Sequence, residues 1–116
     1  MEVFATDEFE DWYAELDGGD ADAVDHVVGL LEGAGVLLGA PHSSALEGTS
    51  HALRELRPKQ GHSPLRIIYA FDPRRDAVLI IGGDKSGDPK FYRRIIEQAE
   101  RLWREYLDEQ RRGLHD

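Results

Sequence analysis

Arg57 and Arg66 are of a residue type suited to holding an anion. A guanidinium is permanently charged, and its planar fork can donate two parallel hydrogen bonds to one phosphate. The two arginines fall on neighbouring predicted strands, "ALRELRP" and "LRIIYAFD", where period-two alternation can turn both toward one open face. Tyr92 can stack on a base, or shuttle a proton if nearby cations lower its pKa. Its alternative role is to border a hydrophobic core. His51 and His62 flank the first of these strands in loop-like sequence and are of a residue type that can act as acid or base, whereas His26 and His42 have no zinc-ligand spacing. No cofactor or metal is therefore expected. "GGDKSG" lacks the full glycine-rich phosphate-loop spacing, so Gly82 and Gly83 read instead as a strand end or a place of close backbone approach.

The setting of these residues is unusual in charge. The chain has 116 residues and a formal net charge of -9, yet no Lys or Arg precedes Arg54. From Arg54 to Arg94 the balance reverses, with Arg54, Arg57, Lys59, Arg66, Lys85 and Lys90 among the cations. Such asymmetry fits either a polyanion-binding surface or two solvated faces of opposite sign. The absence of cysteine excludes a disulfide framework, a thiolate metal site and a cysteine nucleophile. An acidic N-terminus and short apolar runs predict neither a signal peptide nor a membrane span, and hence a cytoplasmic protein.

The elements that must position the arginines are readable in outline. "EVFA" is a short edge strand, and "TDEFEDWYAELD" a helix capped by Thr6 or Asp7 that ends near Gly18 and Gly19. Asp20 is the expected N-cap of a second helix with Ala23, Val24, Val27, Val28, Leu30 and Leu31 on its apolar face. "GAPHSSALEGTSHA" reads as a connecting loop. Three strands follow, the last two joined by the tight turn "DPRRDA", before Asp88 and Pro89 open a long amphipathic helix carrying Phe91, Ile95, Ala99, Leu102 and Trp103. The expected architecture is a single α+β domain over residues 1-116, with an N-terminal helical hairpin, a mostly antiparallel sheet covered on one face, and a C-terminal helix.

This order, and "LRELRP" followed by "LRIIYAFDPRRDAVLIIGGDKSG" and an amphipathic helix, resembles the RelE/HigB branch of the RelE/ParE toxin superfamily, including its phage-derived HigB-like members. The resemblance implies a type II toxin-antitoxin toxin: a metal-independent RNA endonuclease, acting on messenger RNA and often at the ribosome, silenced by a cognate helix-turn-helix antitoxin. By resemblance Arg57 and Arg66 become the candidates for phosphate and transition-state stabilisation, with Lys85 and Tyr92 completing the catalytic set and Arg54, Lys59 and Lys90 contacting RNA. The alternatives are a ParE-like toxin that acts on a protein target such as gyrase, and an inactive antitoxin-binding module.

Overall fold

The computed structural model describes residues 1–58 and 64–115, so Lys59 and His62 lie outside the described residues. Its elements run β1 (Val3–Ala5), α1 (Asp7–Ala14), α2 (Gly18–Ala34), β2 (Ser43–Ala45), β3 (Arg54–Leu56), β4 (Leu65–Phe71), β5 (Ala77–Asp84) and α3 (Phe91–His115). The strands form one sheet in the order β1-β5-β4-β3-β2, antiparallel except for the β1 and β5 pair. The β4–β5 hairpin closes as its turn residues predict: Asp72 Oδ1 accepts the N–H groups of Arg74 and Asp76 at 2.8 and 3.0 Å, and Arg75 takes the left-handed φ of 66°.

Both faces of the sheet are covered, not the one expected. Leu56, Leu65, Ile67, Tyr69, Ala77 and Leu79 pack against Phe9 of α1 and Val24, Val27 and Leu31 of α2. On the other side Ile68, Ala70, Val78 and Ile80 meet Phe91, Ile95, Ala99, Leu102 and Trp103 of α3. The near-continuous apolar runs of β4 and β5 are the physical reason, because a strand apolar on alternate and intervening positions must bury both sides.

A bulge in β5 adjusts this packing. Ile68 pairs with Ile81 but Tyr69 pairs with Leu79, leaving Ile80 as the extra residue. Ile80 and Ile81 consequently both pack on the α3 side. Beyond them Gly82 faces the Trp12 ring and Gly83 faces Phe91 and Ile95, so both glycines permit close approach.

Two local expectations are corrected. The N-cap of α2 is Asp17, whose Oδ1 accepts the N–H of Asp20 at 2.8 Å, while Asp20 itself is buried three residues into the helix. Two glycines after Asp17 hid this start, since glycine is a poor helix former that here merely fills the first turn. Ser43–Ala45, read as loop, is an edge strand paired with β3. It has no apolar run of its own, and its hydrogen-bond partners come from a strand distant in sequence.

A buried carboxylate fastens the approach to β3 onto α3. Glu100 accepts the N–H of Ser50 at 2.7 Å and of His51 at 3.2 Å, and His51 Nδ1 stands 3.1 Å from the same side chain. Burial opposes its ionisation, but these donors outweigh burial and hold the carboxyl below the usual glutamate range. A carboxyl depressed in the folded state stabilises above the unfolded pKa, and that contribution is lost as pH falls through the folded one. Glu100→Gln is expected to cost about 1 to 2 kcal/mol at neutral pH. Denaturant titrations from neutrality downward should show a smaller acid-dependent loss in the variant than in the wild type.

Candidate functional site

The site lies where β3, β4 and β5 run out from under the first turn of α3, and it is organised around Glu55. Glu55 sits on β3 opposite Ile68, hence on the α3 side of the sheet, and is only 4% exposed. A buried carboxylate requires compensation. Arg57, two residues along the same strand, donates from Nε and Nη2 to Glu55 Oε1 at 3.0 and 2.9 Å. Its Nη2 also donates to Ser44 Oγ of β2 at 2.5 Å. Arg66, two residues from Ile68 on β4, brings its Nε to 4.0 Å from Glu55 Oε2. That oxygen accepts no hydrogen bond among the described residues.

Arg57 and Arg66 therefore share a face, and α3 stops short of covering them. Their side chains are 32% and 14% exposed, which makes Arg57 the more available to a ligand and Arg66 the more firmly built in. Arg66 Nη1 also donates to the Leu65 carbonyl at 2.7 Å, and its Nε donates to the Tyr92 hydroxyl at 3.2 Å. Tyr92 packs edge-on against Phe91, and Lys85 Nζ stands 6.0 Å from the Tyr92 ring centroid, the outer reach of a cation–π contact.

The cations beside Tyr92 do not lower its pKa. Burial pushes the phenol up, the Glu55 carboxylate beside it adds to this, and Arg66 offsets the rise only in part. The hydroxyl is thus held protonated at neutral pH. It can donate a proton or a hydrogen bond but cannot serve as a ready base.

The remaining sequence-selected cations separate. Arg54 points to the other face of the sheet, where Nε donates to the Tyr69 hydroxyl at 3.2 Å and Nη2 donates to Ser43 Oγ at 3.2 Å. Ser43 and Tyr69 are themselves 2.5 Å apart through their hydroxyls, so Arg54 belongs to a buried polar cluster that ties β2, β3 and β4 together. Lys90 is exposed just before α3, its N–H held by Asp88 Oδ1 at 3.0 Å. His51 is occupied with Glu100, away from the arginines. Among the described residues no group of three or more His, Asp or Glu side chains is placed to hold a metal ion, and no helix is long and apolar enough to cross a membrane.

Sequence reasoning passed over Glu55 and Ser44. Glu55 had a usable signal, an acid alternating with Arg57 on one face of a strand; Ser44 had none, because its strand was not visible.

Comparisons place the fold and the chain among known proteins. The model of the family "Phage derived protein Gp49-like (DUF891)" matches residues 11–104. Two proteins of Mycobacterium tuberculosis (strain ATCC 25618 / H37Rv), each named a candidate toxin, are similar: HigB3 is 37% identical over 91 residues, covering 78% of either chain. HigB2 is 35% identical over 99 residues, which are 83% of this chain but 49% of that protein, so the chain spans about half the length of that relative. Two solved structures share the fold, with TM-scores of 0.54 and 0.53 at 17% and 20% identity, each covering 74% of this chain and 96% of the other: an archaeal RelE-RelB complex from Pyrococcus horikoshii OT3 and a metal-bound toxin from Helicobacter pylori. With a five-stranded sheet, α3 across one face and a family match over most of its length, the chain belongs to the Gp49-like phage-derived family within the RelE/HigB-like toxin superfamily.

Proposed function

We propose that the protein is the toxin of a type II toxin-antitoxin pair and that it cleaves RNA in the cytoplasm. The observation that carries this reading is the convergence of Arg57 and Arg66 on one buried carboxylate, beside a protonated Tyr92. RNA cleavage by internal attack needs three things: loss of the 2′-OH proton, stabilisation of the charge that builds on phosphorus, and a proton for the departing 5′-oxygen. The two guanidiniums meet the second need, since fixed donors aimed at developing charge are typically the largest single contribution. Tyr92 can meet the third as its phenol is held in the acid form. The 2′-oxygen then bonds to phosphorus as its proton passes to solvent, the bond to the 5′-oxygen breaks, and the products are a 2′,3′-cyclic phosphate and a 5′-hydroxyl end. Lys85, at the mouth of the site, adds a point charge for the flanking backbone.

A cognate antitoxin is the proposed protein partner. The HigB relatives carry toxin names, and the archaeal fold neighbour was solved as a complex with RelB. Whether messenger RNA is met on the ribosome follows from the same assay performed with and without ribosomes.

The direct test is incubation of the purified protein with RNA in chelator, followed by end mapping. New 5′-hydroxyl and cyclic-phosphate ends are expected. Growth arrest on expression without new RNA ends would replace this reading by action on a protein target, and neither would leave an inactive antitoxin-binding module. Tyr92→Phe, which keeps the ring and removes the donor, is expected to lower the cleavage rate about 10²-fold. An unchanged rate would restrict Tyr92 to packing.

A further inference from the structure

We infer that the outward face of the first half of α3 is a track for single-stranded RNA flanking the scissile phosphate, an inference that rests on the ribonuclease reading above. The buried stripe of α3 runs through Phe91, Ile95, Ala99 and Leu102. At 100° per residue this fixes the opposite side. Arg93, Arg94, Glu97, Arg101 and Arg104 occupy that side, and all five are exposed.

Arg94, Glu97, Gln98, Arg101 and Arg104 line one shallow cleft, and Arg93 and Arg104 line another with Glu97 and Glu100, so the first is the more basic. The ridge begins beside Tyr92, with Lys90 just ahead of it, and Arg93 to Arg104 spans about 16 Å of helix. That length accommodates several phosphates of an extended strand. Arg94 is ion-paired with Asp88, and Glu97 lies among the cations, so Arg101 and Arg104 carry the clearest free charge.

The rest of the molecule strengthens the assignment. The chain carries a net charge of -9, and α1 and α2 contain no cation at all. RNA is repelled by that side, and outside the site itself the ridge gathers four exposed arginines, Arg93, Arg94, Arg101 and Arg104, on one helix face. Arg74 and Arg75 sit at the opposite end of β4 and β5, in a turn that also holds Asp72 and Asp76.

The test uses fluorescence anisotropy with a 2′-O-methylated, uncleavable 12-nucleotide RNA and the matching trinucleotide, measured across a salt series on the full chain. For Arg101→Ala/Arg104→Ala, affinity for the 12-mer is expected to fall at least tenfold at low salt. The slope of log affinity against log salt should become shallower by about 1.4, since each phosphate contact on a single strand contributes about 0.7. Trinucleotide binding should stay as in the wild type. Arg101→Lys/Arg104→Lys should restore most of the loss, and Arg74→Ala/Arg75→Asn, which removes equal charge at the far turn, should leave the slope unchanged.

Equal 12-mer affinity and slope in Arg101→Ala/Arg104→Ala would remove the track. If Arg57→Ala/Arg66→Ala then still weakens binding, the site survives without it. A wild type that ignores both RNAs but binds a polyglutamate peptide through Arg101 and Arg104 would overturn both readings and make the ridge a dock for an acidic protein segment.

Discussion

Replacing Arg57 and Arg66 together by Ala is expected to abolish RNA cleavage, with a loss of about 10⁴-fold or more. One preorganised donor to a developing oxyanion is typically worth about 10² to 10³ in rate. Two that act on the same phosphate fail together. The structure adds a complication, because both arginines also compensate Glu55, which is 4% exposed. Removing both strands a buried charge, a change that commonly costs about 3 to 5 kcal/mol. The informative set therefore includes Glu55→Gln/Arg57→Ala/Arg66→Ala, in which the orphaned charge is gone. Thermal melts should show the triple variant recovering stability relative to the double, while end mapping shows cleavage still absent. A folded triple variant that cleaves at the wild-type rate would remove the arginines from the site.

The second large effect is expected at Gly82, and it is steric rather than electrostatic. A Cβ built there would stand 2.3 Å from Trp12 Cε3 and Cζ3 and 2.5 Å from Cδ2, distances that real atoms do not adopt. The indole belongs to α1, whose entry is pinned by Thr6 through its bonds to Phe9 N–H and the Ile80 carbonyl. Either the indole or α1 itself must therefore shift away from β5. Gly82→Ala should cost about 3 kcal/mol, the upper end of ordinary overpacking, and lower the melting temperature by roughly 10 °C for a domain of this size. Trp12→Ala/Gly82→Ala should be much less destabilised than the sum of its single variants, as contacting residues couple strongly. Additive losses would show that the strain lies elsewhere.

Much of this protein was legible in its residues because the signals were local. Helical spacing in "FEDWYAEL" and in the final helix, the "DPRRDA" turn and the β-branched runs of β4 and β5 each depend on neighbours within a few positions, and α1, the hairpin and α3 form where those signals lie. Period two allowed Arg57 and Arg66 to share a face, and the β3–β4 register is what puts them there. Family resemblance supplied their expected roles, which alternation could not.

What only the tertiary structure decided involves partners far apart in sequence. Ser43–Ala45 is a strand because β3 is beside it, and Arg54 is structural because Tyr69 and Ser43 wait on its face. The Tyr92 phenol sits above its ordinary pKa because burial and Glu55 outweigh Arg66, a balance of distances that no spacing encodes. The sequence by itself determined the main helices, the β4–β5 hairpin and the positions of the cations; burial and long-range contact determined that Arg57 and Arg66 meet at Glu55 while Arg54 turns to the other face.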